Sequence, residues 1–252
     1  WARQQTFIAN ASHELRTPLT LMRASAEVAQ RSLPAEGAPS LGAAQTLRGL
    51  LADVLGECDH MGRLVNDLLL LSRLDAGKLP LELATVPVAG LLEEAGRQIK
   101  RMAEEQGVAV DVRATPGEVR ADVTRLRQVL LILLDNALRH TPSGGQIRLT
   151  SEPAGRQIVI SVGDTGSGIP PEHLPRLFER FYRADSARGR EAPRSPAAPS
   201  PLHPARGDAG TSGGAGLGLA IAKSLIEAQH GHIRVESQPG HGTRVSLTLP
   251  RA

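Results

Sequence analysis

A histidine beside a carboxylate is a nucleophile with a base at hand, and the run His13-Glu14-Leu15-Arg16-Thr17-Pro18 supplies that pair. Glu14 can orient one ring nitrogen or take its proton, leaving the other nitrogen free to attack. Thr17 lies four residues on, one helical turn along the same face. Pro18 cannot donate to the Glu14 carbonyl, so the helix is expected to bend where the histidine sits. Standing alone, a helical histidine is more often a solvated side chain than a catalytic one.

Three further groups share the chain with it. Asp135-Asn136-Ala137-Leu138-Arg139-His140 closes a helix whose apolar run is VLLILL at 129–134. An amide flanked by that much apolar surface is costly without a partner, and its oxygen suits a hard cation such as Mg²⁺. Arg139 lies near Asn136 on one face and can reach a phosphate, although basic residues also suit a helix C-terminus by themselves. Asp164-Thr165-Gly166-Ser167-Gly168-Ile169-Pro170 follows the strand-like QIVISVG. Its glycines admit a flat ligand close to the backbone, and its carboxylate can accept from an exocyclic amine; an ordinary strand-ending turn has the same look. Gly213-Gly214-Ala215-Gly216-Leu217-Gly218-Leu219 opens a helix, where free N–H groups and the dipole favour phosphate. It is neither a Walker loop, lacking Gly-Lys-Ser/Thr, nor a Rossmann fingerprint, lacking a strand just before it.

Positioning such residues requires particular elements. In residues 1–32 the apolar positions Phe7, Ala11, Leu15, Leu19, Met22 and Ala26 recur at steps of three and four, which predicts one amphipathic helix. After the turn-rich 34–40, the series Leu47, Leu51, Val54, Cys58, Met61, Val65, Leu68 reads as a coiled-coil seam. A hairpin of two such helices cannot bury both apolar faces alone, so a homodimeric four-helix bundle is expected. The stretch 75–90 breaks the pattern and reads as a linker or short strand. Beyond it the pattern predicts helices near 88–106, 123–140 and 217–230, and strands near 108–112, 147–151, 157–163, 232–237 and 243–249. Mixed helices and antiparallel strands give an α+β class. The Pro-, Ala- and Arg-rich segment 184–212 reads as a mobile loop.

Composition closes off other classes. The 252 residues suit one to two domains, and one cysteine, Cys58, permits neither an intrachain disulfide nor a cysteine metal cluster. A net charge of +3, from 29 basic and 26 acidic residues, gives no ground for nucleic-acid binding. No apolar run approaches the roughly 18 residues of a membrane span. The chain has no initiator Met or signal peptide and opens on helical sequence, so it is expected to be a fragment whose upstream part holds a sensor or membrane segment. Of only five aromatic residues, Phe178, Phe181 and Tyr182 fall within five positions.

Taken in order, the motifs resemble the catalytic core of two-component sensor histidine kinases over about residues 5–249. HELRTPL looks like the phosphoacceptor box, LLDNALRHTP the Asn box, DTGSGIP the first glycine box, LFERFYR the F box and GGAGLGLAI the second glycine box. Gly240-His241-Gly242-Thr243 resembles the closing glycine turn. The resemblance implies a dimerisation and phosphotransfer domain at 1–78 and a GHKL (Bergerat) α/β sandwich at 79–252 that binds ATP and Mg²⁺. It implies His13 as the phosphorylated residue, Glu14 as its base, and Thr17 as the residue that positions water when the kinase acts as a phosphatase. Asn136 would hold Mg²⁺, with Arg139 and His140 toward the phosphates. Asp164 would read the adenine amine, with Gly166, Gly168 and Ile169 around the base. Phe181, Arg183, Gly214, Gly216, Leu217, Gly218 and Leu219 would complete the nucleotide site at the hinges of the lid. The implied partners are a second copy and the receiver domain of a response regulator, and the implied location is the cytoplasmic side of a bacterial membrane-anchored sensor.

Two positions depart from the pattern. The family usually carries a second Asn four residues before the metal ligand, where this chain has Ile132. Its loss keeps open a degenerate kinase acting as a dimeric scaffold. Related ATPases of the Hsp90, gyrase and MutL type place a water-activating Glu there, and isoleucine cannot act as a base, which disfavours a hydrolysing ATPase. The 184–212 segment is also longer than the resemblance leads one to expect.

Overall fold

The computed structural model describes residues 2–32, 41–184 and 215–252. The expected loop at 184–212 lies, apart from residue 184, outside the described residues, as do Gly214 and the turn at 34–40. Two long helices come first, α1 (Ala2–Ser32) and α2 (Leu41–Asp75), and they pack against one another. α1 continues unbroken through Pro18, which is buried. Two threonine hydroxyls bond back one turn here: Thr17 Oγ1 donates to the His13 carbonyl at 3.3 Å and Thr20 Oγ1 to that of Arg16 at 2.9 Å.

The expected seam on α2 divides. Leu47, Val54, Met61 and Leu68 turn inward, whereas Leu51, Cys58 and Val65 are exposed. Leu55 (65% exposed) and Leu69 (52%) widen the outer stripe. A single α1–α2 contact uses one apolar stripe per helix, so the second is left facing out.

From residue 84 the chain runs β1 (Ala84–Pro87), α3 (Val88–Glu105), β2 (Ala109–Ala114), β3 (Glu118–Ala121), α4 (Val123–His140), β4 (Gln146–Ala154) and β5 (Gln157–Asp164). A 3₁₀ turn at Leu174–Arg176 follows, then α5 (Gly218–Ala228), β6 (His232–Gln238) and β7 (Gly242–Pro250). The five-stranded sheet has the order β2-β4-β5-β7-β6, antiparallel except for the β2–β4 pair, and β1 pairs with β3 separately. The sequence pattern gave no sign of β3 or of the 3₁₀ turn. Each is short, and neither carries an apolar period long enough to stand out.

Alternation builds the domain. Ile147, Leu149, Ile158, Ile160, Val162, Leu247 and Leu249 point to one face and are buried under α3, α4 and α5. Arg148, Thr150, Gly163, Arg244 and Ser246 point to the other. α4 is fixed at its start by Asp122, whose Oδ1 accepts from the N–H groups of Thr124 and Arg125 at 3.0 and 3.1 Å. The same carboxylate ties down the stretch after α2, since Asp122 Oδ2 accepts from Glu82 N at 3.1 Å. Leu64 and Leu71 of α2 join the buried cluster of the sheet domain, and α2 packs against α5. Among the described residues no helix is long and apolar enough to cross a membrane.

Candidate nucleotide and phosphoacceptor site

β5 and α4 end side by side, and the turn after β5 folds back between them. Asp164, the last residue of β5, is half-buried; its Oδ1 accepts from Gly166 N at 2.8 Å and Thr243 N at 3.2 Å. Burial pushes its carboxyl above the ordinary aspartate range, and those two backbone donors and the nearby His140 partly offset the rise. Oδ2 has no hydrogen bond among the described residues, so one carboxylate oxygen is fixed and the other is available. Gly166 is required here by close approach: a Cβ would run into the His140 carbonyl oxygen.

The turn is also braced from the far side. Ser237 Oγ accepts from Ile169 N at 2.8 Å and donates to the Gly242 carbonyl at 2.8 Å, and Gly168 lies against the Gln238 backbone. Thr243 and Ser237 therefore belong to the site's support. Thr243 had a signal in the closing glycine turn, but Ser237, mid-pattern in an alternating strand, had none.

Asn136 sits half-buried near the end of α4, and its side-chain amide makes no hydrogen bond among the described residues. Its amide oxygen is thus available, and the donor type fits a hard cation whose other ligands would be phosphate oxygens and water. Ile132, one turn earlier, offers no donor. It packs against α5, where a Cβ on Gly218 would lie 3.2 Å from its Cγ2. Arg139 is held by Asp135 through a 2.9 Å bond with both side chains largely buried, and His140 is exposed at the helix end. Leu217 is buried in the core, 1% exposed, so it supports the site from beneath; Leu219 is half-buried.

The F box meets the second glycine box through the backbone. Phe181 N donates to the Gly216 carbonyl at 2.9 Å, with Phe181 at φ 63° and Gly216 at φ 70°. A Cβ on Gly216 would meet the Phe181 backbone at 2.8 Å, so glycine is needed both for its conformation and for the space. Tyr182 is bound to His173 Nδ1 at 2.5 Å and lies under the Arg176 guanidinium, 4.3 Å from the ring centroid. Arg183 is exposed beside it. A cleft of about 470 Å³ opens on the other face of the sheet, over Arg148, Thr150, Gly163 and Arg244. It meets this site at its rim, through Asp164, Thr165, Ser237, Gln238, Gly242 and Thr243, and its floor is the polar outer surface of the strands.

His13 is exposed on α1, and Glu14 is half-buried. Their side chains make no hydrogen bond to one another, so the pairing expected from adjacency is not formed in this conformation. The Met22–Cys58 sulfur contact at 3.3 Å sets the antiparallel register of α1 and α2 and places His13 level with about residue 67 of α2.

Comparison with known proteins agrees with this geometry. The family described as "Histidine kinase-, DNA gyrase B-, and HSP90-like ATPase" matches residues 121–252, and the "His Kinase A (phospho-acceptor) domain" matches residues 3–77. The chain belongs to the two-component histidine kinases. The kinase core is 35% identical over 249 residues to the sensor protein SrrB of Staphylococcus aureus, covering 98% of this chain and 38% of SrrB. It thus spans well under half the length of the curated relatives it matches. The structure of full-length ShkA in complex with AMPPNP is 28% identical, with a TM-score of 0.66, over 98% of the kinase core and 46% of ShkA. Histidine kinase ThkA in complex with the response regulator protein TrrA shares the fold, with a TM-score of 0.67 at 21% identity, over 98% of this chain and 61% of that one.

Proposed function

We propose that this chain is the ATP-dependent autophosphorylating unit of a sensor kinase, with His13 as acceptor and a division between its two domains near residue 78. The observation that carries the reading is Asp164. One of its oxygens is fixed by two backbone donors while the other is free, in a half-buried setting where a hydrogen bond to an adenine amine replaces lost solvent. ShkA, which holds an ATP analogue, supports ATP as the nucleotide.

In the step itself, the lone pair on the unprotonated ring nitrogen of His13 forms a bond to the γ-phosphorus. The bond from that phosphorus to the oxygen bridging it to the β-phosphate breaks, and ADP leaves with the electron pair. The proton on the other ring nitrogen passes to Glu14. Asn136 is the residue that would hold Mg²⁺, which when bound offsets phosphate charge. In the second step the N–P bond breaks as an aspartate oxygen of a receiver domain takes the phosphoryl group; the ThkA–TrrA complex supports a response regulator as that partner. Thr17, four residues after His13, is assigned the positioning of water in a reverse, phosphatase reaction. The exposed stripe Leu51, Leu55, Val65, Leu69 supports a homodimer, and the relatives' description as sensor proteins supports a role in sensing.

Ile132 favours the second reading, a dimeric scaffold that binds nucleotide poorly. Incubation with γ-labelled ATP and Mg²⁺, wild type against His13→Gln, separates the two. Acid-labile, alkali-stable label on wild type alone is expected. A folded dimer without label leaves the scaffold, and steady phosphate release without labelled protein means an ATPase instead.

A further inference from the structure

The end of α2 and the F box are 105 residues apart in sequence, yet Arg180 Nη2 donates to Asp75 Oδ1 at 2.5 Å. Asp75 is the last residue of α2, where a carboxylate opposes the helix dipole, so it is unfavourable there unless a cation faces it. The contact does not stand alone. Leu64 and Leu71, on the same stretch of α2, are 2% and 0% exposed and belong to the cluster that includes α5. Leu15, two residues after the acceptor histidine, packs against that cluster from α1. The chain between the two parts is fastened at both ends. Gly77 N and Lys78 N close α2 on the carbonyls of Leu74 and Arg73 at 3.0 and 2.9 Å, and Glu82 N is held by Asp122. The sheet domain is therefore seated on the hairpin over 64–75, a stretch that spans the level of His13 set by the Met22–Cys58 contact.

We propose that Asp75 and Arg180 are a positioning pair: their ion pair seats the nucleotide domain on the hairpin at the level of His13. Neither residue is among those assigned to the nucleotide or the acceptor. The pair acts by raising the effective concentration of one domain beside the other, which lowers the entropic part of the barrier to transfer. The seating rests on Leu64 and Leu71 as well, and the ion pair is partly exposed, at 30% for Arg180 and 52% for Asp75. Its removal is thus expected to shift docking by about threefold to fivefold rather than abolish it. This inference takes the kinase reading of His13 as its starting point.

The test uses the chain as a dimer with Asp75→Arg, Arg180→Asp and the double exchange. Cleavage after Lys78 by a lysine-specific protease, whose sites none of these exchanges adds or removes, reads docking in the segment between the domains without reference to activity. Each single variant is expected to be cut about threefold faster than wild type, and the double exchange at close to the wild-type rate. With saturating ATP and Mg²⁺, the first-order rate of His13 labelling should fall by a similar factor in the single variants and recover in the double, while nucleotide affinity stays unchanged. Cleavage that does not respond to charge reversal, or labelling that is unchanged or faster in the single variants, overturns the proposal. If cleavage follows the pattern but no variant, wild type included, is labelled, the docking contact stands and the kinase reading fails.

Discussion

The hairpin and the sheet domain use the same aliphatic side chains to different ends. In the sheet domain the apolar residues of β4, β5 and β7 are almost wholly enclosed: Leu149, Leu247 and Leu249 are each 0% exposed. Among the described residues, α2 in the hairpin keeps only Leu64 and Leu71 buried to that degree, and both owe it partly to the sheet domain. Leu19, Leu51, Leu55 and Leu69 are all more than half exposed. A sheet covered by three helices can close its core within one chain, whereas two helices offer one shared seam and leave the rest of each apolar face outward. The sheet domain thus closes most of its own core, whereas the hairpin leaves an apolar face for something else to complete.

The widest gap between the two regions should appear on truncating a leucine in each. Leu149→Ala is expected to cost the sheet domain ~2–5 kcal/mol of unfolding free energy. Leu55→Ala, at a site already in water, should cost under about 0.5 kcal/mol in a dilute, monomeric sample. Equal losses in urea titrations would dissolve the distinction.

The second way to sharpen it is through association. Val65→Glu with Leu69→Glu places two like charges on the outer stripe of each copy, and the dimer dissociation constant is expected to rise at least about a hundredfold. The sheet domain's melting transition should not move. Sedimentation velocity over a concentration series checks both parts, and a dimer that persists would mean another surface joins the copies.

The smallest effect concerns charge inside the hairpin. Burial pushes the Asp67 carboxyl up to about 6, with Arg63 pulling the other way. Its ordinary value is 3.8, so between those two pH values the unfolded chain ionises while the folded one keeps its proton. Stability falls as pH rises through that window and levels off above about pH 6. Asp67→Asn should therefore stabilise the protein at pH 7 by at most ~2 kcal/mol and have no effect below about pH 4, as read from denaturation midpoints against pH. A gain that is the same at both pH values would show that packing, and not the charge, is responsible.

Much of this arrangement was legible in the residue order, for local reasons. The long helices, α3, α4 and the strands β4 to β7 follow from apolar periods that each element carries within itself, and the glycine turns and Asn136 announce themselves by type. The site's bracing was not legible. Ser237 contacts Ile169 across 68 positions and Thr243 reaches Asp164 across 79, and no local pattern encodes such a meeting. Leu217 shows the converse: a residue its motif marks for the nucleotide has its side chain in the core, 1% exposed. Arg139 likewise pairs with Asp135, an intrahelical bond whose competition with a phosphate the spacing did not reveal.

By itself, the sequence determined the helices and the strands of the five-stranded sheet, the α+β class and the identity of the groups able to do chemistry, because periodicity and residue type are properties of short stretches of chain. Only the tertiary structure decided which half of the α2 seam is covered, which oxygen of Asp164 is free and where Asp75 meets Arg180. Each of these depends on surfaces brought together from distant parts of the chain, and their relative placement is fixed by packing the whole domain at once.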